Sequence, residues 1–255
     1  MSRKLTKFMK AGLVLLLGLP SFAQHAGADW DKTYTVTVHD LCHHVPKRAS
    51  KEFVAAVKAR SNANREDAIL HLKKALSFDP EFLSAINDLG VIYIESEHAD
   101  LAAEQFERGI AVDPRAGSVY FNLAVAYFMQ RHYGDCERVV RQFLYLEPSC
   151  PRGMLVLGMS LLLQSKFTAE AEWNLQKAAR EFPVAQIYLG MEFLNKGNIE
   201  GARAQVTAYL QSGDKDEEAV LTADRLLQRI DQAAQTKPAG SQTGGAVSAG
   251  PGSNF

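Results

Sequence analysis

Cysteine is nearly absent: the chain has 3 in 255 residues, at positions 42, 136 and 150. So sparse and odd a set is no disulfide framework, and the fold must rest on an apolar core instead. Cys136 and Cys150 are separated by about 14 residues, roughly 20 Å of helix at 1.5 Å per residue. A bridge needs Cα atoms within about 7 Å, so these two are not expected to pair. Catalytic spacings are missing as well. There is no glycine-rich phosphate loop, no nucleophile elbow, no His-Glu-x-x-His and no Cys-x-x-Cys. No catalytic residue and no cofactor is expected. Long apolar runs are also lacking: the longest, Ala11 to Leu19, is nine residues, where a bilayer span needs about 20.

That short run has a particular setting. Arg3, Lys4, Lys7 and Lys10 flank it on one side, and Pro20-Ser21-Phe22-Ala23 follows. A basic start, a short apolar stretch and small residues at −3 and −1 predict a secretory signal peptide over 1–23, cut after Ala23. Ala26-Gly27-Ala28 offers a second cut. The expected destination is the periplasm or the exterior of a bacterial cell, with no transmembrane span in the mature chain. Losing the four leader cations leaves 24 basic against 29 acidic residues, a net charge of −5. A mildly acidic surface argues against nucleic acid as a partner.

Repetition is what the rest of the chain has in quantity. Phe78-Asp79-Pro80, Val112-Asp113-Pro114 and Leu146-Glu147-Pro148 are near copies with prolines 34 residues apart, and Glu181-Phe182-Pro183 follows at 35. Ahead of each turn the same side chains recur. Leu89-Gly90 with Tyr93 precedes Ala102 and Phe106. Leu123-Ala124 with Tyr127 precedes Cys136, Val140 and Phe143. Leu157-Gly158 precedes Ala171, Leu175 and Ala178. Leu189-Gly190 with Phe193 precedes Ala202, Val206 and Tyr209, and a weaker first copy holds Ala56, Ala68, Leu72 and Ala75. Small residues let two helices approach closely, large ones fill the space around that contact, and proline stops the second helix. A single helix pair cannot bury its apolar face, so stacked copies are required.

These positions resemble the tetratricopeptide repeat family, whose 34-residue unit places a large residue, Leu-Gly, Tyr, Ala, Phe, Ala and Pro at set spacings. The resemblance covers 49–213. It implies an all-α, right-handed α-solenoid of about five helix–turn–helix repeats, with boundaries near 49–82, 83–116, 117–150, 151–185 and 186–213. Amphipathic spacing in 214–235 predicts a capping helix. Residues 236–255 are rich in Gly, Ser, Thr and Gln and read as a disordered tail. Within the N-terminal segment 24–48, alternation in Tyr34-Thr35-Val36-Thr37-Val38 predicts a short strand.

In that family the first helices of successive repeats line a concave groove where partners bind. By register, the groove here would comprise Asn87, Val91 and Ile94, then Phe121, Asn122, Val125, Phe128 and Met129. Arg152, Leu155, Met159, Leu162 and Leu163 come next, followed by Ile187, Met191 and Leu194. Some family members grip a terminal carboxylate with Lys, Arg and Asn. Only Asn122 and Arg152 match such a clamp, and Val91 and Val156 stand where its polar residues would be. So apolar a face is either covered from within or takes a protein or peptide segment. The resemblance therefore implies a non-enzymatic scaffold, with self-association through groove or strand also open. A second reading rests on His39, Cys42, His43 and His44, a cluster whose thiolate and imidazoles suit zinc or copper if a turn brings them together.

Overall fold

A computed structural model of the chain describes residues 43–236 apart from Phe167 and Lys215. The expected signal peptide, the expected strand at 34–38 and the tail beyond residue 236 lie outside the described residues. Those described form helices and turns only. In chain order the helices are α1 Lys47–Ser61, α2 Arg65–Phe78, α3 Leu83–Glu95, α4 Ala99–Val112, α5 Gly117–Met129 and α6 Tyr133–Leu146. They continue as α7 Pro151–Leu163, α8 Ala169–Ala178, α9 Ala185–Asn195, α10 Ile199–Gln211 and α11 Glu217–Thr236. Each odd-numbered helix from α1 to α9 packs on the next as a hairpin, and each hairpin packs on the following one. The first helices α3, α5, α7 and α9 also touch in succession. This is the expected all-α solenoid of stacked helix pairs, with α11 closing it against α9 and α10.

The close approach inside each pair has a steric signature. A Cβ built on Gly90 would lie 2.5 Å from the Phe106 ring, and one on Gly158 would lie 2.6 Å from Leu175. Phe106 and Leu175 are fully buried, so neither can swing away. Ala124 and Ala56 hold the same position in α5 and α1 and are also buried.

Two kinds of turn alternate along the stack. Between the helices of a pair, Ala63, Glu97, Arg131 and Ser165 have φ of 57°, 61°, 66° and 59°, and Gly197 has 72°. The first four follow the 34-residue period. Each closes a Schellman motif: the Glu97 N–H donates to the Ile94 carbonyl, and the His98 N–H to the Tyr93 carbonyl at 2.9 Å. Between pairs, Asp79 and Asp113 are buried and turn their carboxylates back on the chain. Asp79 Oδ1 accepts from the Glu81 N–H at 3.2 Å, and Asp113 Oδ1 from the Arg115 N–H at 2.8 Å. The aspartates thus satisfy backbone donors just past prolines that carry none. Glutamine ties neighbouring turns together in register. Gln130 Nε2 donates to the Ala99 carbonyl at 2.8 Å, and one repeat later Gln164 Nε2 donates to the Tyr133 carbonyl at 3.2 Å.

Glycine should therefore act with opposite sign at two places. Arg131→Gly removes a left-handed penalty of about 1 kcal/mol from an exposed turn and should raise stability by up to that amount. Gly90→Ala gains about 1 kcal/mol of helix propensity but forces a methyl into the Phe106 ring, an overpacking cost of about 1–3 kcal/mol. Its net effect should be destabilising, and Phe106→Leu should partly reverse it. Urea unfolding of the variants measures both signs.

Candidate functional site

The first helices present three rows of side chains at the repeat period. Asn87, Phe121, Leu155 and Ile187 form one, and Val91, Val125, Met159 and Met191 the second. Ile94, Phe128, Leu162 and Leu194 form the third. In the first row Phe121, Leu155 and Ile187 are buried; in the second Val125 and Met159 are; in the third Ile94 and Phe128 are. Packing between successive first helices, with α11 on the far side of α9, covers these, so seven of the sixteen expected groove residues serve as core. Met159 is among them, at 0% exposed.

The half-exposed remainder divides by chemistry. Near the starts of the helices, Asn122 Nδ2 donates to Asn87 Oδ1 at 2.8 Å, bridging α5 to α3. The Arg152 guanidinium stacks on Phe121, 5.3 Å from the ring centroid. A Phe121–Phe143 pair with centroids 5.3 Å apart backs that ring. Val156 is fully buried and offers nothing to a carboxylate clamp. Near the ends of α5, α7 and α9, Met129, Leu162, Leu163, Met191 and Leu194 are partly exposed and rest on the main core. Val91 on α3 is partly exposed too, so four of the six accessible apolar residues lie on α7 and α9.

The histidine–cysteine cluster divides differently. His39 and Cys42 lie outside the described residues. His43 Nε2 donates to Asp79 Oδ2 at 2.8 Å, joining the entry to α1 to the turn after α2, and His44 is exposed. Among the described residues no group of three or more His, Cys, Asp or Glu side chains converges on a point. Cys136 and Cys150 are free thiols, as their spacing predicts. Burial pushes the Cys136 thiol far up, which suits packing and not nucleophilic chemistry.

A cleft of about 350 Å³ on the opposite, second-helix side has no counterpart among the sequence expectations. Exposed Tyr145 and Trp173 border it, and Arg141 and Glu170 close one end. Arg141 meets Glu170 with two parallel bonds of 2.6 and 2.9 Å, while its Nη2 reaches Glu137 Oε1 at 3.0 Å. Tyr145 and Trp173 occupy positions where a helix surface carries polar residues, and that mismatch is the only sequence signal for the cleft.

Residues 87–135 match the tetratricopeptide repeat family model. No curated protein matches the chain. Among solved structures, pilF of Pseudomonas aeruginosa is similar at TM-score 0.59 and 22% identity, over 74% of this chain and 88% of that one. MamA of Desulfovibrio magneticus is similar at TM-score 0.62 and 15% identity, over 68% and 100% of the two chains. A thermophilic tetratricopeptide protein of Thermus thermophilus is similar at TM-score 0.54 and 19% identity, over 71% and 99%. At such identities the likeness is one of fold. The class is an α-solenoid of tetratricopeptide type, and the matched stretch from α3 to the start of α6 carries the family's repeat.

The Arg141 network sets a pH dependence. The Arg141 hydrogen bonds hold the Glu170 carboxyl below its usual range. Burial works against the same effect at Glu137, but bonds from Gln164, Arg141 and Lys166 outweigh it and lower that group too. A depressed carboxylate contributes stability that is complete above its unfolded value and lost as pH falls through the folded one. Arg141 and Glu170 are 42% and 45% exposed, so solvent screening keeps the contribution at or below about 1 kcal/mol. Arg141→Ala should cost that at neutral pH and progressively less as pH falls below the ordinary carboxylate range and through the depressed folded one; denaturant unfolding across an acid pH series checks it.

Proposed function

We propose that this chain is a non-enzymatic scaffold or adaptor that holds a protein segment against the first-helix face of its solenoid. The carrying observation is the accessible apolar patch of Leu162, Leu163, Met191 and Leu194 on α7 and α9. Half-exposed leucines and methionines on a rigid, stacked surface suit the apolar side chains of an amphipathic helix or extended segment. The paired Asn87 and Asn122 and the stacked Arg152 set a polar boundary at the other end of the same face. The tetratricopeptide match and fold support a protein partner in general.

The leader pattern at 1–23 supports export, which puts the partner in the bacterial cell envelope or beyond it. Among the described residues no helix is long and apolar enough to cross a membrane. An exported chain recovered with Gln24 as its first residue is the expected outcome of intact-mass measurement; retention of residues 1–23 would count against this placement.

Leu162→Asp combined with Met191→Lys tests the patch. Both side chains are partly exposed, so helicity by circular dichroism should persist while capture of the envelope partner by the tagged chain falls at least about tenfold, or about 1.4 kcal/mol. Undiminished capture by a folded variant would sink the reading. Met159 is unsuited to this purpose, since a charge at a fully buried site reports unfolding.

A further inference from the structure

The two ends of the stack differ in a way that its middle does not explain. Pro46 stands 34 residues before Pro80, so α1 keeps the register of α3, α5 and α7. Val57 therefore matches Val91, Val125 and Met159. The latter two are 0% exposed, while Val57 is 49% exposed and Val54, one turn back on the same face, 64%. First helices flank α5 and α7 on both sides; among the described residues none precedes α1. The valines lie where the next helix of a longer stack would pack.

Charge frames this apolar strip. Lys51 and Lys58 are exposed on the same face as the valines. Across α1 there are five cations, and its single acid, Glu52, bonds His71 at 2.6 Å. At the other end, α11 buries Ala219, Ala223, Leu226 and Ile230. Its outer side exposes Leu221 at 47%, with Glu217, Glu218 and Asp224 and a single cation, Arg225, around it, a net acidic rim. Across α11 there are four acids and two cations.

We propose that copies of this chain associate head to tail, the α1 face of one docking on the outer face of α11 of the next. Each surface has an apolar centre inside a charged rim, and the rims are of opposite sign. Opposite rims steer the two ends together and disfavour like ends. The two surfaces are different patches, so the contact is heterologous and propagates as a row instead of closing as a two-fold dimer. A solenoid contacts only its neighbours, so a further copy continues the stack without altering the units inside it.

Sedimentation velocity on the full chain tests this. The weight-average mass should rise with protein concentration and fall as salt screens the rims. Lys51→Glu with Lys58→Glu should abolish assembly; adding Glu217→Lys with Glu218→Lys to the same chain should restore it. Val57→Asp should also leave monomers, and the exposure of all these residues should leave circular dichroism unchanged. A monomer mass at every concentration, or assembly indifferent to the charge reversal, would overturn the proposal.

Discussion

Everything in this molecule depends on how closely two antiparallel helices can meet at one residue. Where Gly90 faces Phe106 or Gly158 faces Leu175, the missing methyl brings the backbones together. The large side chain opposite then fills the space that a wider spacing would leave empty. Close packing of this kind transmits geometry: once the pair distance is set, the ridges that a pair offers to its neighbour are set as well. A repeat protein multiplies the consequence. An error of an ångström in one pair would recur with each copy, so the tolerance at the pair contact governs the course of the whole stack.

The same stacking decides what is left for a partner. First helices that touch in succession remove Val125, Met159 and Phe128 from solvent, and only residues whose neighbours on the next helix are small or displaced stay open. The fourth copy has 35 residues between its prolines, and its Leu157-Gly158 pair is followed by Leu189-Gly190 after 32 residues instead of 34. Leu162, Leu163, Met191 and Leu194 remain partly exposed in that neighbourhood. The accessible apolar residues of α7 and α9 thus flank a stretch where the period departs from 34 residues. The polar boundary is likewise built between repeats, because the Asn122–Asn87 bond joins two first helices and belongs to neither alone.

Much of the fold was legible because each copy states its small, large and proline positions again, and agreement at a 34-residue step is hard to produce otherwise. The register also located the first-helix face. It could not rank that face by exposure, since periodicity assigns Leu162 and Phe128 to one row while burial separates them. Two further features were invisible for physical reasons. The left-handed turn residues are Ala63, Glu97, Arg131 and Ser165, which carry no glycine signal; tertiary packing imposes a conformation that their side chains disfavour. The aspartates before Pro80 and Pro114 read as turn formers, yet their buried carboxylates matter through donors two residues on and, for Asp79, through His43.

A finite stack must also end, and the two ends meet that constraint differently. At the C-terminal end α11 runs 20 residues, longer than any helix within the array, and reaches both α9 and α10. Its small residues, Ala219 and Ala223, let it sit close, and Leu226 and Ile230 close the core. The outer side left over is mostly charged, which is how a solenoid end stays in water. At the N-terminal end α1 covers its side of the core with Ala49 and Ala56 but turns two valines outward among cations. Phe53, packed on Phe82, completes that side with the alanines, and Val54 and Val57 are not among the side chains that fill it. Apolar side chains that the hairpin does not use thus stand at the register where inner helices are covered. The proposed head-to-tail contact would meet at the N-terminal end the demand that neighbours on two sides meet for the inner helices.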